Sequence, residues 1–407
     1  MTQILKKSLL ACAVGACIFA GLTPAHSVGV STSVQAGLTR FENRLNRADF
    51  PAATGISVST LAGQSLANSE SEKLLMPAST MKIVTAVVAL ETLSPDYRFT
   101  TRTVWQPSTK TLWLVGGGDP LLSSKNLATL ASKVRKALPK IKKITLRADT
   151  SMFGPFEKPQ GWSSYSVPWT IRKVSPLVVD DAIVADPADH AVGVFAKALK
   201  KVGIASLVKN NKPSSGQKLA SIQSLPITKA LGTILRTSDN NMAEMVFRVA
   251  AAESGGQGTW SAARSHSTAT LTKLGLNVTG LVIEDGSGMS RNNRLTADFL
   301  VKLLNTTRQQ NHPRLNVIAA KDLMATAGKS GTLNNRFNTE STRCAVGAIE
   351  AKTGTFRDVT ALAGFAQNID GTEMAFAVII NNVPGRSFLS IRSTMDRLAT
   401  SLVNCEK

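Results

Sequence analysis

The stretch "PASTMKIVTAVVAL", Pro77 to Leu90, places a serine, Ser79, three positions before a lysine, Lys82, at the mouth of an apolar run. Residues i and i+3 of a helix are neighbours, so a helix here sets a hydroxyl beside an ammonium. A serine hydroxyl is a weak nucleophile until a base takes its proton. Lysine serves as that base when burial or a cationic neighbour depresses its pKa. The run from Ile83 to Leu90 supplies the burial, and the helix N-terminus adds a positive dipole end where an oxyanion would form. Alone, S-x-x-K is a weak signal, because an ordinary N-cap serine reads the same way.

Two further stretches carry complementary chemistry. "TSDNNMAEM" holds Ser238, Asp239 and Asn240, and "EAKTGTFRD" holds Lys352, Thr353, Gly354 and Thr355. Ser238 can relay a proton toward a leaving group, and Asn240 can hold a substrate amide. Lys352 on an edge strand can hold a carboxylate and bias Lys82 toward neutrality. Gly354 admits close backbone approach. The N–H groups of Ser79 and Thr355 can form an oxyanion hole. A near-copy, Lys329-Ser330-Gly331-Thr332, competes with the last motif. The copy at Lys352 is preferred because it leads into hairpin strands, whereas polar residues follow the other.

The chain has 407 residues, 43% of them hydrophobic, enough for two domains. It carries 47 Lys and Arg against 27 Asp and Glu, for a net charge of +20. An anionic cell envelope fits this balance as a partner. Nucleic acid does not, since aromatics are 5% and no nucleic-acid motif appears. The densest basic stretch, "KVRKALPKIKK" (Lys133 to Lys143), reads as a solvated helix face. Residues 1–27 read as a secretory signal cut after Ser27, with a lipoprotein-type site at Cys17 as the rival. Loss of the signal removes Cys12 and Cys17. An exported chain would then bridge Cys344 to Cys405, or keep two buried thiols. The histidines lack metal-ligand spacing, and neither metal nor cofactor is expected.

Along the chain, residues 54–71 read as two strands, 109–122 as a strand entering the Gly-rich turn "GGGDP", and 126–138 as a helix. "GGGDP" lacks a following Lys-Ser/Thr, so a tight turn is expected rather than a phosphate cradle. A Ser/Pro/Trp-rich loop covers 155–176, and "KNNKPSSGQK" (209–218) is a plausible boundary between domains. "DVTALAGFAQ" and "EMAFAVIINN" flank Asp370-Gly371 as a hairpin.

S-x-x-K with S-D-N and K-T-G is the combination shared by β-lactamases and penicillin-binding proteins. Beyond it, "LVGGGDPLL", "DTSMF" with "GW", "VSPLVVDD", "SDNNMAE", "EDGSGMSRNNRLT" and "GTLNNRF" occur in that order. In these the chain resembles the penicillin-binding D-alanyl-D-alanine carboxypeptidase/endopeptidases of low molecular mass, over most of its length. The resemblance implies a mixed α/β (α+β) fold, a transpeptidase-like domain with an antiparallel sheet flanked by helices, interrupted by an inserted α/β domain. The 159 positions from Ser79 to Ser238 agree with an insert at 98–222 between catalytic segments 28–97 and 223–407.

It also implies a side-chain pocket built from Asp149 of "DTS" and Arg291 of "SGMSR", suited to a diamino-acid side chain ending in ammonium and carboxylate. The alternatives are a structural turn aspartate and a surface salt bridge. The implied activity is a serine D,D-peptidase acting on peptidoglycan peptides ending in D-Ala-D-Ala at the outer face of the envelope, with β-lactams as covalent inhibitors. The rivals are a catalytically inactive envelope-binding protein and a serine β-lactamase. Against the latter, Lys273 of "KLGLN" stands where a deacylating glutamate would be needed.

Overall fold

The computed structural model describes residues 29–163, 170–318, 320 and 323–406. The signal-peptide reading at 1–27, with Cys12 and Cys17, lies outside the described residues, as do 164–169 of the Trp-rich loop.

The chain opens with α1 (Thr32–Asn46), capped where Ser31 Oγ accepts from Val34 N at 3.1 Å. Strands β1 (Thr54–Thr60) and β2 (Ser65–Ser69) follow, then α2 (Met81–Leu93). The segment from β3 (Thr100–Gln106) to β7 (Gln217–Gln223) builds a sheet of its own. Between these come β4 (Thr111–Val115), α3 (Ser124–Ala137), β5 (Lys143–Asp149), α4 (Pro187–Lys201) and β6 (Ala205–Val208). Helices α5 (Ile227–Thr237), α6 (Asn240–Glu253), α7 (Trp260–Lys273) and α8 (Ala297–Thr306) come next. The chain closes with β8 (Ala325–Thr326), β9 (Ile349–Phe356), β10 (Val359–Gln367), β11 (Glu373–Asn381) and α9 (Phe388–Val403).

The main sheet runs β2-β1-β11-β10-β9-β8 with every pair antiparallel. Period-2 alternation sends successive side chains to opposite faces. Ala361, Ala363, Phe365, Ala375, Ala377 and Ile379 pack against α2 and α5–α8. Leu362, Ala366, Met374, Phe376, Val378 and Ile380 pack against α1 and α9. The sheet is therefore the middle of three layers. Helix α2 is buried on nearly every face, as its unbroken apolar run requires.

The second sheet, β6-β5-β4-β3-β7, is mixed, with β4, β5 and β6 parallel and α3 and α4 covering one face. Each parallel crossover needs its helix. Asp186 caps α4 ahead of Pro187, and Ser123 with Asn126 forms a capping box on α3. The polar stretch 209–218 is not a boundary between domains. It joins two strands of this one sheet, β6 and β7, and the chain returns to the main body only after Gln223. The "GGGDP" turn holds Asp119 inward, its Oδ1 accepting from Leu121 N at 2.9 Å. Burial raises that carboxyl to about 6.

Cys344 and Cys405 are bridged, with Cα atoms 5.7 Å apart. The bond ties the end of α9 to the turn that precedes β9, and so steadies the strand carrying Lys352. It closes a separation of 61 positions. Replacing both cysteines by serine is expected to cost on the order of 4 kcal/mol on the chain-entropy account. The urea midpoint measures this; an unchanged midpoint would show that α9 holds β9 without the bond.

Candidate active site

Ser79 lies in the short 3-10 turn Ala78–Thr80 that leads into α2. Ala78 adopts φ +47°, a costly conformation for a residue with a Cβ. Thr80 Oγ1 fastens the turn by donating to Pro77 O at 2.7 Å. Two glycines press on it. A Cβ at Gly288 would stand 1.9 Å from Ala78 O, and one at Gly354 would stand 2.6 Å from Pro77 O. The K-T-G strand thus lies directly against the serine turn.

Lys82 is completely buried and has three partners: Ser79 Oγ at 3.0 Å, Asn240 Oδ1 at 2.7 Å and Ser287 O at 2.6 Å. Asn240 is oriented by its Nδ2, which donates to Thr170 O at 3.1 Å. The amide and carbonyl oxygens only accept, so they consume two N–H bonds. The remaining direction of the tetrahedral nitrogen points at Ser79. In neutral Lys82 that direction is the lone pair, and Ser79 is the one partner of the three with a proton to give. Burial pushes Lys82 down to about 8, against the Asp285, Glu244 and Asp239 carboxylates that pull it up.

The S-D-N triplet is the junction of two helices. Ser238 ends α5 in the left-handed region at φ +66°, Asp239 caps α6 by accepting from Met242 N at 2.8 Å, and Asn240 is the first residue of α6. Lys352 of β9, also completely buried, donates to Ser238 Oγ at 2.9 Å and Thr353 O at 2.8 Å. Burial, then the charge of Lys82, depresses it well below an ordinary lysine. Two hydroxyl–lysine pairs, Ser79–Lys82 and Ser238–Lys352, therefore share one site. That arrangement suits proton transfer to and from an attacked bond. Strand β8 pairs only with Glu350 and Ala351, which leaves Lys352 to Phe356, including Thr355, on an open edge.

The near-copy at Lys329 lies beside the site rather than in it. Its lysine side chain runs along Gly347, and Ser330 Oγ accepts from Thr326 N at 3.0 Å. Thr332 nevertheless meets the site, since Thr353 Oγ1 donates to Thr332 Oγ1 at 2.9 Å. Glu244 is another residue that motif reading missed. It is fully buried, with Oε1 accepting from Ser287 N and Oε2 from Trp260 Nε1, both at 2.7 Å. Ser287 is thus gripped at its nitrogen by Glu244 and at its oxygen by Lys82. Asp285 accepts from Gly288 N, Ser290 N, Asn293 Nδ2 and Trp162 Nε1, and so staples the same turn.

Asp149 and Arg291, the two residues expected to build the side-chain pocket, each have partners within the protein. Asp149 accepts from Ser151 N, Ser151 Oγ and Ser214 N at 2.6–2.9 Å and is buried at the end of β5. Burial would raise its carboxyl, but the Ser151 and Ser214 hydrogen bonds outweigh it and hold the group below the ordinary value. These hydrogen bonds pin the loop that follows β5. Arg291 makes a two-pronged pair with Asp358, at 3.0 and 2.6 Å, in the turn after β9, and remains half exposed. Lys273, in the place considered for a deacylating base, is an exposed residue closing α7. Among the described residues, no group of His, Cys, Asp and Glu could hold a metal ion.

These features form one site in which two serine hydroxyls each meet a buried lysine. The chain matches the D-Ala-D-Ala carboxypeptidase 3 (S13) family over residues 42–180 and 174–402; it belongs to that family and is a D-Ala-D-Ala carboxypeptidase. It is 30% identical to carboxypeptidase DacB of Mycolicibacterium smegmatis over 357 residues, 81% of this chain and 76% of the relative. It is 27% identical to a D-alanyl-D-alanine carboxypeptidase of an Actinomadura species over 435 residues, 84% of this chain and 79% of that one. Its fold is similar to the crystal structure of penicillin binding protein 4 from Haemophilus influenzae, with TM-score 0.75, 22% identity, and coverage of 90% of this chain and 98% of that one. That protein has also been crystallised with a β-lactam.

Proposed function

We propose that the protein removes the terminal D-alanine of peptidoglycan stem peptides, and opens crosslinks, through an acyl-enzyme on Ser79. Ser79 Oγ attacks the carbonyl of the penultimate D-alanine while Lys82 takes its proton. The oxyanion settles between the N–H groups of Ser79 and Thr355. The C–N bond breaks as a proton reaches the leaving amine through Ser238, and Asn240 holds the substrate amide. Water then hydrolyses the ester. Lys352, with Thr353 and Gly354 beside it, receives the terminal carboxylate of a stem peptide. The observation that carries this reading is the set of partners around Lys82, two obligate acceptors and one hydroxyl. Export to the envelope and a lasting hold on β-lactams belong to the same proposal.

Intact mass and peptide mapping after penicillin treatment test it. A stable adduct on Ser79 is expected, because Lys273 offers no deacylating carboxylate. Rapid release of hydrolysed penicillin would favour a β-lactamase, and no adduct at all an inactive binding protein. The same measurement with disaccharide pentapeptide and with crosslinked dimers separates carboxypeptidase from endopeptidase turnover.

Asp149 and Arg291 belong to the same proposal as the side-chain pocket, Asp149 for an ammonium and Arg291 for a carboxylate. Arg291→Ala is expected to lower kcat/KM on diaminopimelate peptides far more than on peptides with an apolar side chain, with penicillin acylation near wild type. Asp149→Ala is expected to show the same selectivity, since the carboxylate keeps an acceptor position on Oδ2 beside its bond from Ser214 N. Equal loss on both peptide types in Arg291→Ala would remove it from substrate recognition.

A further inference from the structure

The positive charge of this chain is concentrated in one place. Residues 98–222 hold 20 Lys and Arg against seven Asp and Glu, and so carry +13 of the total +20. No Asp or Glu occurs between Asp119 and Asp149, or between Asp189 and Asp239. The fold gathers part of this charge at one pole. In each parallel crossover the helix returns to where the next strand starts, so the C-terminal ends of α3 and α4 lie beside the beginnings of β5 and β6. Arg135 ties that end together, donating to Leu138 O, Ile141 O, Val202 O and Gly203 O. Ala205 N donates to Lys142 O at 2.8 Å. Lys136, Lys140, Lys142, Lys143, Lys200 and Lys201 are all exposed around it, and none forms an ion pair among the described residues.

"KVRKALPKIKK" is therefore not one solvated helix face. Helix α3 stops at Ala137, and Lys140, Lys142 and Lys143 belong to the turn and the strand beyond. Lys136, Lys200 and Lys201 complement helix C-terminal dipoles, but that explanation does not reach the other three. The opposite end of β5 abuts the catalytic layer: Met152 O accepts from Gly258 N at 3.1 Å, and Arg248 of α6 stacks 4.3 Å over Phe153. The seven residues of β5 put the pole about 20 Å from that junction.

We propose that this lysine pole docks the enzyme on a linear, phosphate-bearing polymer of the envelope. Its cations are lysines with mobile, well-hydrated heads, which suit a diffuse row of phosphates rather than one two-pronged contact. The pole is the end of a small domain, and a flexible chain can wrap it. Residues 133–143 and 197–206 contain no Phe, Trp or Tyr, the residues that anchor proteins in a bilayer interface. A membrane surface is therefore the disfavoured occupant.

The test uses the whole protein with linear inorganic polyphosphate as the probe and fluorescence anisotropy as the readout. One variant carries Lys140→Gln, Lys142→Gln, Lys200→Gln and Lys201→Gln. A matched control carries Lys158→Gln, Lys229→Gln, Lys273→Gln and Lys302→Gln and has the same net charge. The pole variant is expected to bind at least about tenfold more weakly, with the log–log salt slope reduced by about 3 for four lost phosphate contacts. The control should stay close to wild type, and both should keep the wild-type thermal midpoint. Equal weakening of both variants would mean that bulk charge alone binds the polymer. Binding to phosphatidylglycerol vesicles without binding to polyphosphate would assign the pole to the membrane, and no binding to either would remove it as a docking surface. Each of these overturns the proposal.

Discussion

Lys82→Ala is expected to slow acylation of Ser79 by about 10²–10⁴-fold, the range in which a positioned general base contributes. Among the described residues, the hydrogen bond of Ser79 Oγ is to Lys82 Nζ. Asn240 Oδ1 and Ser287 O meet Lys82, not Ser79, in the hydrogen bonds of the site. Lys352→Ala should fall comparably, because Ser238 loses its partner. Lys329→Ala should remain near wild type, since its side chain lies along Gly347 outside the site. The pH dependence follows from burial, which lowers Lys82 to about 8. Acylation by the free enzyme should rise with pH toward that value as the lysine gives up its proton. Stopped-flow acylation by a chromogenic β-lactam measures all of this. A normal rate in Lys82→Ala would reject the lysine as base, and equal losses at Lys329 and Lys352 would mean that both copies of the motif serve the site.

The parts of this site legible in the sequence are those where chemistry coincides with the ends of secondary elements. Ser79 and Lys82 straddle a helix start, Ser238 to Asn240 join two helices, and Lys352 to Thr355 run along a strand edge. Short spacing therefore preserved their geometry. The hairpin of β10 and β11 was legible from its alternation, and the disulfide from cysteine count and compartment. Glu244 was not legible, because a glutamate inside "NNMAEMVF" resembles any helical acid until its partners are known. Trp260 is 16 positions away and Ser287 is 43, and only the folded chain brings them together. The anchoring of Asp149 was not legible for a related reason: its motif suggests a charge for substrate, while its bonds from Ser151 and from Ser214, 65 positions away, exist only in the folded chain. The linker at 209–218 misled because polar, Gly/Pro-containing composition marks an exposed connection but does not say whether the strands it joins share a sheet.

Glu244→Gln is expected to lower both stability and acylation, although it is nearly isosteric. The carboxylate accepts with each oxygen, from Ser287 N and from Trp260 Nε1. A glutamine offers one oxygen and one NH₂, so one of these buried N–H groups would face another donor. An unsatisfied buried donor costs about 1–3 kcal/mol, and the misplaced Ser287 would carry its carbonyl away from Lys82. Trp260→Phe separates the two effects: it frees one oxygen of Glu244 but leaves Ser287 gripped, so stability should fall while acylation holds. Titration gives a readout that packing alone would not move. Burial, then the charge of Asp285, raises Glu244 to about 7 from an ordinary 4.5. The folded state therefore holds this proton more tightly than the unfolded state, and its contribution to stability declines as pH rises from about 4.5 to about 7. Glu244→Gln removes that decline, so urea unfolding at about pH 5 and about pH 7 should differ less in the variant than in wild type. Equal differences in the two proteins would show that Glu244 does not hold the proton. Unimpaired acylation in Glu244→Gln would show that Ser287 finds its place beside Lys82 without it.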